Sequence, residues 1–236
     1  RDLHYFEPSF PTRRSSDLVH YYDRKAHDPD PAQRLPALGL EDKDIPFVIE
    51  LTPEGRVVQL IDTRTPDGKK MRAQSFRVPQ SVKRAVNISA NLLWDTVEYV
   101  LGVDTRGKPD RVAEQHAAFR ARIEQLPDDA QADPGLCAVK AFLGIQADRR
   151  QTALDLTELE TSASWPALLE TNPVLSFRLA GDSGLLVCQR AVVVAAALEA
   201  DRASSAAALS ATCLIDGKPQ PIERLHTAVK GVWGAQ

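Results

Sequence analysis

IPFVIELTPEGRVVQLI, residues 45–61, reads as two strands and the turn that joins them. Ile45 to Leu51 is a β-rich apolar run, and Arg56 to Ile61 is another. Thr52-Pro53-Glu54-Gly55 supplies Pro and Gly in turn order, so the spacing predicts a β-hairpin. Downstream, Pro66-Asp67-Gly68 marks a further turn, and Arg72 to Val78 alternates well enough for a third strand. Pro79 ends it, because proline has no N–H to give to a ladder. The expectation is one antiparallel meander.

Upstream, VHYYDRKAHDPD (residues 19–30) allows one or two helical turns before the prolines at 29 and 31. After the strands, Ser89 or Asn91 can cap a helix whose stripe is Leu93, Val97, Val100 and Leu101, closed by Gly102 at C′. A second helix starts with Pro109 at N1 and runs to Pro127, with Val112, His116, Phe119, Ile123 and Leu126 on its core side. Residues 136–145, 152–159 and 189–209 are helical by pattern, and 174–180 and 185–187 read as short strands. Thr212 to Ile215 and Gln220 to Glu223 make a closing hairpin around Asp216-Gly217. The predicted class is α+β: an N-terminal antiparallel β-meander packed with helices, then a mixed, mainly helical region closed by a short hairpin. The predicted divisions are residues 1–18, 19–106 and 107–236.

With 236 residues, 43% hydrophobic and 26% charged, the composition is globular. Cys137, Cys188 and Cys213 are odd in number and never in a CxxC pair. That spacing argues against a disulfide framework or a zinc site and fits a reducing compartment. The longest apolar stretch, Leu185 to Leu198, contains Gln189 and Arg190 and is too short to span a bilayer. Nothing has the shape of a signal peptide. A cytoplasmic protein without a membrane partner is expected. SFPTRRSSDL, from Ser9 to Leu18, is what one reading frame of a widely used sequencing-adapter oligonucleotide encodes. Residues 1–18 are therefore expected to be an artefact without ordered structure, and Arg13 and Arg14 receive no functional weight.

Between Arg64 and Arg84 lie seven basic residues, Arg64, Lys69, Lys70, Arg72, Arg77, Lys83 and Arg84, against the single acid Asp67. That stretch is at +6 within a chain at −3, which leaves −9 for the rest. Concentrated positive charge on an otherwise acidic protein points to an anionic partner. A charge run is ordinarily a solvated loop face, but these cations sit on and between expected strands. Lys69, Lys70, Lys83 and Arg84 suit phosphate contacts. Gln80, Asn87 and Asn91 have amides able to meet base edges or sugars, and Arg72 and Arg77 can do either. Asn91 serves equally well as a plain helix cap.

Chemistry of catalysis has little support. GxSxG, GxxxxGK[ST], HExxH and GxGxxG are all absent. His226 lies beside Arg224 and Lys230 but reads better as a hairpin-exit residue, and Cys213 with His226 lacks a third orienting group. Asp23, Asp28 and Asp30 sit around prolines without EF-hand spacing, as solvated loop acids do. His116 reads as a hydrogen-bonded core histidine. No catalytic residue, metal site or cofactor is predicted.

Several segments carry a resemblance in consistent order. They are YYDRKA (21–26), IPFVIEL (45–51), VVQLIDTR (57–64), GKK (68–70), FRVPQSVKR (76–84), NLLWDTVEYVLGVDTRGKP (91–109), HAAF (116–119) and PIERLHTAVKGVWGAQ (221–236). Beyond residue 18 the chain resembles the N-terminal part of the large subunit of the type I-C CRISPR interference complex, the Csd or Dvulg-subtype large-subunit family. The stretch from Pro127 to Glu170 matches least closely.

The resemblance implies a non-catalytic subunit of a guide-RNA-bearing Cascade complex. Such a subunit recognises the short motif flanking the target in double-stranded DNA and helps hold the opened strands. It contacts guide RNA and the other Cascade subunits, and it helps recruit a separate helicase-nuclease in trans. It also implies a C-terminal helical region, so that this chain is expected to be a fragment. The alternative is a structural assembly module of the same ribonucleoprotein that binds guide RNA or partner subunits without reading DNA.

Overall fold

The computed structural model describes residues 20–30, 34–82, 84, 88–145, 154–182, 184–206, 210–212 and 219–221. After helix α1 (20–26) come β1 (Leu40–Asp44), β2 (Phe47–Leu51), β3 (Val57–Asp62), β4 (Thr65–Asp67), β5 (Lys70–Arg72), β6 (Ser75–Pro79) and β7 (Trp94–Thr96). The helical stretch holds α2 (Val97–Leu101), α3 (Pro109–Glu124), α4 (Asp128–Gln131), α5 (Pro134–Phe142), α6 (Thr157–Glu160) and α7 (Trp165–Thr171). Strand β8 (Val174–Leu179), helix α8 (Ala191–Ala206) and strands β9 (Ser210–Thr212) and β10 (Pro219–Pro221) complete it. The class is α+β, as the sequence predicts.

Backbone packing separates Gly39–Asp201 from a unit formed by Arg1–Leu38 with Arg202–Gln236. The sequence-based division at residue 106 falls inside Gly39–Asp201. In the terminal unit, Tyr22 Oη donates to the Pro36 carbonyl at 2.7 Å. Asp28 accepts from Lys25 Nζ at 2.8 Å and from the Asp30 amide at 3.0 Å, the local loop role expected of it, whereas Asp23 lies within α1. Strands β9 and β10 pair antiparallel, Thr212 opposite Pro219.

The core of the larger unit is a four-stranded sheet in the order β3-β2-β8-β7. β2 and β3 form the expected hairpin, while β2 and β8 run parallel with Phe47 opposite Leu175 and Leu51 opposite Leu179. All five residues of β2 are buried. A near-continuous apolar run is what a strand covered on both faces requires. Glu50 is the exception, and its charge is answered across three strands. Its carboxylate accepts from Gln59 Nε2 at 2.6 Å and from Arg178 Nε and Nη2 at 3.1 and 2.8 Å. The Gln59 hydrogen bond, reinforced by Arg178, outweighs burial and holds the Glu50 carboxyl below its usual range.

Helices α3 and α5 meet the sheet through Phe177, whose ring centroid lies 6.4 Å from Phe119 and 5.9 Å from Phe142, the latter edge-on. Burying a side chain of this size stabilises by roughly 1.5–3 kcal/mol. Gly102 at φ 67 ends α2 in the left-handed conformation expected of a C′ glycine. His116 of α3 packs against Gly102, and its Nδ1 lies 2.9 Å from the Tyr99 carbonyl, so this nitrogen carries the proton.

Several sequence expectations are corrected. The single meander is three separate pairings: β2–β3 in the central sheet, β4–β5 as its own ribbon, and β6 with β1, Asp42 opposite Arg77. β1 (LEDKD) has one apolar residue in five, so hydrophobic periodicity cannot reveal it. The strand expected at Arg72–Val78 is broken at Ala73-Gln74, between β5 and β6. The helix expected from Ser89 or Asn91 begins only at Val97. Leu93 is buried, but at φ 62 it lies in a reversal that feeds Trp94 into the sheet as β7. Its carbonyl is secured by Ser176 Oγ at 2.9 Å. At residues 185–187 there is an isolated bridge from Leu186 to Arg178 and a short 3-10 turn in place of a strand.

Candidate nucleic-acid interface

The basic stretch begins at a pinned neck. The Thr63 amide donates to the Pro46 carbonyl at 2.9 Å, and Thr63 Oγ1 donates to the Ile45 carbonyl at 2.5 Å. On the returning strand the Ile45 amide donates to the Gln74 carbonyl at 3.0 Å, and the Gln74 amide reaches Thr63 Oγ1 at 3.4 Å. Beside the neck, Arg64 grips Asp62 with Nε at 2.9 Å and Nη2 at 2.7 Å while its guanidinium lies 4.4 Å from the Phe47 ring centre. The Arg64 hydrogen bond holds the Asp62 carboxyl below its ordinary range, and Asp62 correspondingly raises Arg64.

From this neck the β4–β5 ribbon leaves the core. Thr65 faces Arg72, Pro66 faces Met71 and Asp67 faces Lys70, so Thr65, Asp67, Lys70 and Arg72 share one face and Pro66 and Met71 the other. Gly68 has φ 60 and Lys69 does not have positive φ, the pattern of a II′ turn with glycine in its first central position. Every residue from Thr65 to Arg72 is exposed. Among the described residues, Lys69, Lys70 and Arg72 take part in no ion pair.

The other predicted contacts are placed differently. Arg77 Nε and Nη2 donate to Asp42 Oδ1 and Oδ2 at 3.0 and 3.2 Å. Arg84 donates to the Ser89 carbonyl at 2.6 Å and to Asp95, and lies 4.2 Å from the Tyr99 ring centre. Asp95 is 1% exposed and also accepts from the Asn91 and Thr96 amides at 2.9 and 2.8 Å. Asn91 is itself buried, with Oδ1 taken by the Val82 amide at 2.9 Å. Gln80 is half-buried, and its backbone N–H donates to the Gly39 carbonyl at 2.9 Å. Lys83 and Asn87 lie outside the described residues, as do His226, Cys213 and residues 1–18. The fold thus gathers Lys69, Lys70 and Arg72 on one ribbon and sets Arg77, Arg84 and Asn91 into other networks.

A groove of about 570 Å³ is lined by Glu54, Asp155 and Glu158 with one cation, Arg56, at the β2–β3 turn and the end of α5. Its three carboxylates repel a polyanion. Among the described residues, no group of three or more His, Cys, Asp or Glu is placed to hold a metal ion. Among them, too, no helix is long and apolar enough to cross a membrane.

A family model described as CRISPR-associated protein (Cas_Csd1) matches residues 18–236. The chain belongs to the Cas_Csd1 family. No curated protein matches it. Within this Cas_Csd1 chain, sequence reasoning located the cations but missed the neck. Thr63 and Gln74 are uncharged and act through backbone groups and one hydroxyl, and Arg64, though one of the counted cations, gives no sign in the charge pattern of its i, i+2 contact with Asp62.

Proposed function

We propose that this Cas_Csd1 chain is the large subunit of a type I-C Cascade complex, and that it contacts the duplex flanking the target without catalysing a reaction itself. On this reading guide RNA supplies sequence specificity by pairing, and the protein needs only a grip on phosphates and a short duplex check. Its partners are double-stranded target DNA, guide RNA with the other Cascade subunits, and a helicase-nuclease recruited in trans in the cytoplasm. The first seventeen residues lie outside the family match, which supports reading the adapter-like text as foreign.

The observation that carries the proposal is the β4–β5 ribbon, which holds Lys69, Lys70 and Arg72 exposed and, among the described residues, without ion pairs, on a chain that is otherwise net acidic. Cations left unpaired at a fixed site are available to release counterions from a polyanion. Arg77, Arg84 and Asn91, engaged within the fold, are assigned lesser parts in the interface. Lys83 and Asn87 join it by sequence alone.

The test is duplex binding by the guide-loaded complex with Lys69→Glu and Lys70→Glu. Affinity falls, and the slope of log K against log salt becomes shallower by about 0.9 for each phosphate that is no longer neutralised. Unchanged affinity and slope rule out the ribbon as a DNA grip. If target binding falls only because the complex dissociates, the assembly-module reading replaces this one.

A further inference from the structure

A flat basic patch lies on phosphates, whereas a free-standing ribbon can penetrate between them. We propose that the β4–β5 ribbon enters the major groove of B-form DNA and meets base edges there, an inference that rests on the ribbon being a DNA contact. Its dimensions favour that groove. Paired strands lie about 4.8 Å apart before side chains are added, and a sheet with its side chains is about 10 Å thick. The minor groove is about 6 Å wide and the major groove about 12 Å. Three residues at about 3.4 Å each give a reach of roughly 10 Å, against a major-groove depth of about 8.5 Å. The ribbon is narrow enough for the wider groove and long enough to touch its floor.

Its chemistry points the same way. One face offers donors on Lys70 and Arg72, an acceptor on Asp67 and a hydroxyl on Thr65. The other face carries Pro66 and Met71, the latter 54% exposed. Major-groove edges present acceptors, amino donors and the thymine methyl, whereas minor-groove edges are nearly all acceptors. Asp67 would find a partner in the minor groove only at the guanine amino group, but in the major groove at cytosine or adenine. Met71 suits a thymine methyl. Lys69, at the turn between the strands, is left for phosphate. An A-form RNA duplex has a deep, narrow major groove that side chains cannot read, so the ribbon also selects DNA.

The experiment measures binding of the guide-loaded complex to one flanking duplex in four forms: unmodified, with uracil for thymine and 7-deazaguanine for guanine, with inosine for guanine, and as RNA. The major-groove changes should weaken binding by about tenfold or more. Inosine should have little effect, and the RNA duplex should compete poorly. Met71→Ala with Arg72→Ala should remove the sensitivity to major-groove changes, and because both side chains are exposed the variant folds normally. Loss on inosine substitution alone, or equal competition by RNA, overturns the groove assignment while a ribbon-dependent salt slope leaves the DNA-contact reading standing. Duplex binding indifferent to every ribbon substitution overturns both.

Discussion

The β1–β6 pair and the β4–β5 ribbon are both antiparallel and two-stranded, with Arg77 on the later strand of the first and Lys70 and Arg72 on that of the second. In the first, Asp42 stands opposite Arg77 and takes it with both oxygens. Val78 and Pro79 beside it are buried, and the Pro79 carbonyl accepts the Trp94 indole N–H at 3.0 Å. In the second, Asp67 stands opposite Lys70 without an ion pair, and no residue of the ribbon is buried. One run of charge in the sequence is therefore divided by folding. Arg77 and Arg84 are joined to the fold's own carboxylates, and Lys69, Lys70 and Arg72 are left for something else.

Breaking the engaged half should cost stability. Asp95→Ala strands Arg84 and the Asn91 and Thr96 amides, and should destabilise by about 3–4 kcal/mol, or roughly 10 °C in Tm. A change of under about 2 °C on thermal unfolding would dismantle the idea that Asp95 organises this loop. Glu50→Ala leaves Arg178 without its partner in the central sheet. Since that guanidinium is partly exposed, the destabilisation should be smaller, about 2 kcal/mol by denaturant unfolding.

A gentler probe is pH. Burial chiefly pushes the His116 pKa down, aided by Arg120 and opposed by the Tyr99 carbonyl. The folded state thus prefers the neutral ring, so this contribution is complete above the ordinary histidine value of 6.5 and is lost as pH falls below it. Tm should decline from about pH 7.5 to about pH 5.5, and less steeply in His116→Gln. Glu50 and Asp62, whose carboxyls are depressed, add to acid destabilisation only below the ordinary carboxylate range.

The smallest stability effects should fall on exposed cations. Arg77→Ala should cost about 0.2–1 kcal/mol and change the salt slope of duplex binding less than the ribbon substitutions do. Lys69→Glu with Lys70→Glu should move stability by less than about 0.5 kcal/mol while altering that slope. An equal slope change from Arg77→Ala would erase the distinction between the two strand pairs.

Much of this was legible beforehand. The β2–β3 hairpin, α3 with Pro109 at its start, the Gly102 cap and β8 all follow from local pattern and turn chemistry. The parallel pairing of β2 with β8 does not, because nothing in either strand names a partner so far away in sequence. β1 was invisible for another reason: its stabilising pairs lie across the strand, Asp42 with Arg77 among them, and not along it. At the candidate site, residue type showed where cations are dense but not which would meet a carboxylate. Only the register that sets Asp42 against Arg77, and the loop that carries Arg84 to Asp95, decides that.

The β2–β8 register has a consequence for how the chain is made. Arg178, which completes the hydrogen bonding of Glu50, follows it by 128 residues. At a ribosome's pace of about 5–20 residues per second, one side of β2 waits roughly 6–26 s for its neighbour. During that interval an apolar strand edge stands open beside every other nascent copy, and a chaperone that covers it should raise the yield of folded protein.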